Sequence, residues 1–184
     1  FAEVVNKRGS DDSLIVAASA ATATRLAQGA YPGNSMDQVK WVGTIGADYG
    51  VIAVAGDSDV VTLGELLENL KTKPKKWVIG GGSAVGGWDH LKVLMAAKEY
   101  GISNVRKIKY VSFDGGGDAV TQLLAGNVQI FTGDVSEIKG FVDAGDIKII
   151  AVLSPDRLPG DFSKFYTAKE QGVNVVGANW RGFY

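Results

Sequence analysis

Cysteine is absent from the 184 residues, which excludes disulfides, thiolate metal ligands and a cysteine nucleophile and is compatible with a reducing or an oxidising compartment. Histidine occurs once, at His90, and one imidazole without a second soft ligand cannot anchor a transition metal, so neither a metal nor a cofactor is expected. Neither sign of charge dominates. Lys plus Arg is 19 and Asp plus Glu is 20, so the chain lacks the positive field that phosphate-backbone binding needs, and nucleic acid is not an expected partner. Crossing a bilayer takes about 20 consecutive apolar residues. Asp57 and Asp59 interrupt the nearest stretch, and no membrane insertion is expected. Residues 1–9 lack the charged start and apolar core of an export signal. What is present is 46% hydrophobic and 21% charged residues, the balance of a globular chain.

Strand-like runs alternate with helix-like ones, which favours βαβ units around a parallel sheet. Residues 3–5, 14–18, 39–45, 51–55, 77–79, 108–112, 128–131 and 147–153 read as strands. Thr62-x-x-Glu65 is a capping box, and Leu63, Leu66, Leu67 and Leu70 follow at helical spacing up to Pro74. A second helix carries Leu91, Leu94 and Met95 and stops at Gly101. A third carries Ala119, Val120, Leu123 and Leu124 up to Gly126, and Ser136 is expected to cap a fourth. No Gly/Ser linker occurs, so lobes must be joined by strands. Crossings near 51–55 and 149–153 make residues 56–150 an inserted lobe, with residues 1–55 and 151–184 forming part of the other.

The sharpest local feature is a pair of glycine-rich loops, 80–87 and 114–118, each at the carboxyl end of a strand and each opening a helix. The first helical turn leaves N–H groups without acceptors and carries about half a positive charge, so such loops hold a carboxylate or phosphate by backbone alone. Ser83, Ser112 and Thr132 are candidate hydroxyl donors. The plainer reading of one such loop is a tight turn, and two in succession favour a binding role. Neither loop is a Walker A motif or an in-frame G-x-G-x-x-G, which disfavours nucleotides. His90 reads as a helix-start hydrogen-bonding group, and Asp89, Asp114 and Asp118 as complements to helix N-termini. Asp134 is expected at the sheet's carboxyl edge, where it would position a ligand hydroxyl or a water. Trp88 and Trp180 are core aromatics or pocket walls. No Gly-x-Ser-x-Gly elbow or other catalytic constellation is found, and the chain is not expected to be an enzyme.

Taken together, Val4-Val5-Asn6-Lys7, Ala47-Asp48-Tyr49-Gly50, Gly80-Gly-Gly-Ser-Ala-Val-Gly-Gly-Trp-Asp-His-Leu91, Tyr110-Val-Ser-Phe-Asp-Gly-Gly-Gly-Asp-Ala-Val120, Gly126-Asn-Val-Gln and Asn179-Trp-Arg-Gly-Phe183 resemble the substrate-binding receptors of tripartite tricarboxylate transporters, the Bug-type extracytoplasmic solute receptors. The Asp-His-Leu and Asn-Trp-Arg-Gly-Phe forms are most similar to the citrate-type branch. The resemblance implies a type II periplasmic-binding-protein fold, with two α/β lobes joined by two crossing strands around a ligand carboxylate, and no catalysis. It places ligand contacts at Ser19, Ala20, Ala21 and Thr22, at Gly82, Ser83 and Ala84, at Gly115, Gly116 and Gly117, and at Thr132, Gly133 and Asp134. It also implies a periplasmic location, a di- or tricarboxylate ligand and membrane transporter subunits as partners. The family begins with a strand and a Gly-Gly-x-x-Asp loop upstream of Phe1, has a turn and helix between Gly9 and Ser10, and continues past Tyr184. The chain is therefore expected to be incomplete.

Two other classes share the residue pattern. One is the ligand-sensing domain of a transcription regulator, and the other an α/β enzyme acting on a phosphorylated substrate. Within the receptor reading, a bulky β-branched residue at Gly116 is expected to block ligand approach while the fold survives.

Overall fold

The computed structural model describes residues 1–184. In chain order the elements are α1 (Ala2–Arg8), β1 (Ala17–Ser19), α2 (Ala20–Ala27), β2 (Gly43–Ala55), α3 (Leu63–Thr72), β3 (Val78–Gly81) and α4 (Trp88–Glu99). They continue through β4 (Lys109–Ser112), α5 (Gly116–Leu124), β5 (Ile130–Asp134), α6 (Lys139–Asp143), β6 (Ile147–Val152) and β7 (Ala178–Phe183). The chain divides into two units, residues 1–48 with 179–184, and residues 49–178.

The first unit pairs β1 antiparallel with β7, Ala18 opposite Gly182. Its interior is aromatic, with Tyr184 packed on Phe1 (5.4 Å between centroids) and on Trp41 (5.3 Å). Trp180, half-buried, meets Trp41 edge-on at 5.9 Å. Residues 3–5, expected as a strand, lie in α1. The segment is helical because Glu3 and Lys7 pair one turn apart, at 3.9 Å, and the β-branched run is only two residues long. Residues 39–45 and 51–55, expected as two strands, contribute to one 13-residue strand, because Gly46 and Gly50 adopt no positive φ and make no turn.

The second unit is a five-stranded mixed sheet in the order β6-β2-β5-β3-β4. Strands β3, β4 and β5 run parallel, whereas β2 is antiparallel to both β5 and β6. From Gly50 to Val54 strand β2 is buried on both faces, so its side chains there alternate between two cores. Ile52 and Val54 meet Leu63, Leu66, Leu67 and Leu70 of α3 and Val93, Ala96 and Ala97 of α4. Val51 and Ala53 meet Ala119, Val120 and Leu123 of α5 together with Phe131 and Ile138. The α3 capping box forms as its spacing requires, with Thr62 accepting from the Glu65 N–H and Glu65 from the Thr62 N–H. Helix α4 buries Lys92, Val93, Ala96 and Ala97 rather than the expected Leu91, Leu94 and Met95, which are only half-buried.

The expected lobe boundaries, after residues 55 and 150, both fall inside the second unit. The returning segment stays on this sheet through Val152 N–H to Tyr166 O (3.1 Å), Gly177 N–H to Leu153 O (2.7 Å) and Gly50 N–H to Gly177 O (2.8 Å).

Candidate functional site

Because β3, β4 and β5 are parallel, their carboxyl ends lie on one edge of the sheet, and the segments leaving Gly81, Ser112 and Asp134 emerge side by side. Phe113 N–H donates to the Gly81 carbonyl at 2.9 Å, which extends the β3–β4 register into the loops. The two glycine loops touch through their backbones. A Cβ on Gly82 would lie 2.6 Å from the Gly115 carbonyl carbon and 2.7 Å from the Gly116 nitrogen, so no other residue fits there. Gly115 is the N-cap of α5 with φ of 98°, a left-handed conformation that favours glycine. It offers no side-chain cap. The N–H groups of Gly116, Gly117 and Asp118 therefore keep no acceptor within the helix.

The first loop is fixed by its own side chains. Ser83 Oγ accepts from the Asp89 N–H (2.9 Å), which leaves its hydroxyl proton able to donate. The Ser83 carbonyl accepts from Tyr110 Oη at 2.7 Å. Burial pushes the Tyr110 phenol up to about 12, so it stays a donor. Its ring stacks on His90 at 4.4 Å. His90 Nδ1 accepts from the Gly86 N–H at 3.0 Å, the helix-start bond read from the sequence, and burial lowers its pKa. The proton of neutral His90 therefore sits on Nε2, which is buried without a partner, as is the Trp88 indole N–H.

Beneath the loops lies a charged network that the sequence reading missed. Lys92 is 0% exposed, and its Nζ donates to the Gly133 carbonyl (2.6 Å), to Asp134 Oδ1 (2.8 Å) and to Asp89 Oδ1 (2.9 Å). All three ammonium protons are used, so Lys92 positions other groups instead of meeting an anion itself. Its stem runs past Gly50 and Gly177, where a Cβ would collide with or crowd it. Asp134 belongs to β5 rather than to a loop, is buried, and also caps the following turn, so its carboxylate has structural tasks. Ser136, expected to cap the last helix, lies within that turn, and α6 starts after Ile138. Thr132 Oγ1 donates to the Asp89 carbonyl at 3.1 Å, tying α4 to β5. Glu137 accepts from the Asp134 N–H at 2.7 Å, and its carboxylate presses on Gly116 and Gly133. Burial raises the Glu137 pKa above the usual carboxylate value. Gly116 is thus packed against a carboxylate, and a β-branched residue there would have to displace the end of the Glu137 side chain.

The model of the tripartite tricarboxylate transporter family receptor matches residues 6–184. The chain belongs to that receptor family. Its members are solute-binding receptors, not enzymes. Comparison with curated proteins finds no match. Among solved structures, a TctC solute-binding protein from Polaromonas is similar at TM-score 0.77 and 23% identity, over 99% of this chain and 60% of that one. MatC from Rhodopseudomonas palustris with bound malate is similar at TM-score 0.78 and 15% identity, over 92% of this chain and 56% of that one. A protein of R. palustris with adipate is similar at TM-score 0.67 and 24% identity, over 78% of this chain and 46% of that one. This receptor-family chain thus spans about 60% of the length of the Polaromonas structure and shares the periplasmic-binding-protein fold expected for it.

Within the family member, the structure brings together Gly82, Ser83 and Ala84 with Gly115, Gly116 and Gly117 above Thr132, Gly133 and Asp134. Ser19, Ala20, Ala21 and Thr22 belong to the first unit. There Ser19 accepts from the Ala21 N–H at 3.3 Å, and its own N–H donates to Thr22 Oγ1 at 3.4 Å, which caps α2. Ser112 is exposed at the end of β4.

Proposed function

We propose that the chain is the ligand-binding part of a periplasmic receptor that takes up a small di- or tricarboxylate and passes it to the membrane subunits of a tripartite tricarboxylate transporter. The observation that carries the reading is the convergence of two glycine loops at one sheet edge, where the exposed Gly117 and Asp118 leave first-turn N–H groups of α5 without helix acceptors and Ser83 follows the Gly82 contact with its hydroxyl proton free to donate. Such a site holds a carboxylate by backbone donors and helix dipole, with no mobile cation and no reacting group. Malate and adipate in two similar structures support dicarboxylates as the class, and citrate is the tricarboxylate to test alongside them. Ser19, Ala20, Ala21 and Thr22 enter the proposal as further ligand contacts, and Thr132, Gly133 and Asp134 as the shelf that fixes the loops.

The test is a thermal-shift screen of the full-length protein against citrate, malate, adipate, aromatic carboxylates and inorganic phosphate, since a ligand of the folded state raises Tm. Shifts with carboxylates alone are expected. Shifts confined to phosphate would overturn the carboxylate assignment.

A further inference from the structure

The second unit carries a feature with no place in carboxylate capture. At the amino ends of β3 and β4, opposite the glycine loops, Lys73, Lys75, Lys76, Lys107 and Lys109 line a groove of about 640 Å³ together with Thr72 and Pro74. All five lysines are exposed and none forms an ion pair, whereas Lys71 nearby pairs with Glu68 at 3.8 Å. Arg106 adds another exposed, unpaired cation next to the groove. No acidic residue lines it. In a chain of net charge −1 this is a strong local excess of one sign, and unpaired like charges crowded together weaken the fold unless an anion meets them.

We propose that this groove docks an acidic, extended segment of a partner protein. The shape favours a chain over a flat anionic surface: a bilayer meets planar or convex faces, while a groove lined by five lysines accepts a protruding chain whose carboxylates reach several ammonium groups at once. The exposed, flexible lysines suit a run of carboxylates better than one small polyanion, which needs fixed donors. Strand β3 has four residues at about 3.3 Å each, so the groove and the glycine loops sit at opposite ends of a strand roughly 10 Å long. A partner seated there leaves the ligand edge uncovered.

The experiment measures binding of a fluorescent oligoglutamate peptide to the full-length protein by anisotropy at 50 and 200 mM salt. Vesicles of phosphatidylglycerol and phosphatidylcholine serve as the membrane arm. Peptide binding that weakens several-fold with salt is expected. Lys75→Glu/Lys76→Glu/Lys107→Glu should lower it at least tenfold, while Lys98→Glu/Lys164→Glu/Lys169→Glu, with the same change of charge elsewhere on the unit, leaves it within twofold. Should the first triple variant fail to fold, Lys75→Gln/Lys76→Gln/Lys107→Gln replaces it with the same expected loss. Absent peptide binding at 50 mM salt, or equal losses in the two sets, overturns the proposal. Vesicle binding without peptide binding overturns it in favour of a lipid surface.

Discussion

At the scale of single residues the glycines of the two loops have separable tasks, and substitutions tell them apart. Gly117 lies in the first turn of α5 without a positive φ, and a Cβ there would meet nothing within 4 Å. Gly117→Ala should therefore leave the fold intact and raise stability by up to about 1 kcal/mol, since alanine loses less backbone entropy in a helix. The added methyl would stand where a ligand oxygen approaches the N–H groups, so carboxylate affinity should fall at least tenfold by calorimetry. Undiminished affinity would remove α5 from the site. Gly82→Ala should behave in the opposite way. Its Cβ would meet backbone atoms of Gly115 and Gly116 that cannot rotate aside, and a loss of about 1–3 kcal/mol is expected in urea unfolding. Glu137 gives a pH signature. Its pKa is raised by burial, so ionising it costs more in the folded than in the unfolded state, and stability contributed by the group falls as pH rises through the raised pKa. Glu137→Gln should melt higher than the parent at neutral pH, and the advantage should vanish once pH drops below the ordinary carboxylate range. The same substitution removes a negative charge beside Gly116, so carboxylates should bind more tightly at neutral pH.

Among the elements, the decisive tie is between α4 and the end of β5. Lys92 holds Asp89, Asp134 and the Gly133 carbonyl, and Thr132 adds a bond to the α4 backbone. Lys92→Met keeps the stem but leaves two largely buried carboxylates without their cation, and unfolding should cost about 3–5 kcal/mol less. Adding Asp134→Asn should restore part of that loss, a coupling that a double-mutant cycle in urea reads directly. Strand, glycine loop and helix were legible in sequence because each carries a local signal: the Thr62–Glu65 box, the leucines at helical spacing, and Gly101 and Gly126 at helix ends, both with positive φ. Lys92 was not legible. A lysine in a helix reads as solvated, and its burial depends on acceptors about forty residues away in β5 and on glycines at 50 and 177 that clear its path. The most deeply buried positions of α4 were missed with it, since Leu91, Leu94 and Met95 outweigh two alanines on any hydropathy scale, although Leu94 and Met95 do pack against the same core. Asp134 lies at the sheet edge expected from the sequence, but its pairing with Lys92 and its capping of the next turn were invisible there, because both depend on residues brought together only by the fold.

At the scale of the whole molecule the two units differ in how much core they own. Both large hydrophobic clusters, one on each face of the sheet, are drawn from residues 49–178. The first unit buries only Ala18, Ala20, Leu26 and Tyr184 among its apolar residues and relies on tilted aromatic contacts. Apolar burial is the main favourable term in folding, so the second unit should hold most of the stability. A fragment comprising residues 49–178 should therefore unfold in one cooperative calorimetric transition at a temperature near that of the 184-residue chain, whereas residues 1–48 alone should show none. The fragment also retains Gly82–Ala84, Gly115–Gly117 and the whole Lys92 network. If the glycine loops provide most of the ligand's backbone donors, it should still warm by a measurable Tm shift in a carboxylate that stabilises the full-length protein. A fragment that folds but no longer responds would assign the dominant contacts to residues outside 49–178, with Ser19–Thr22 the first to test by substitution.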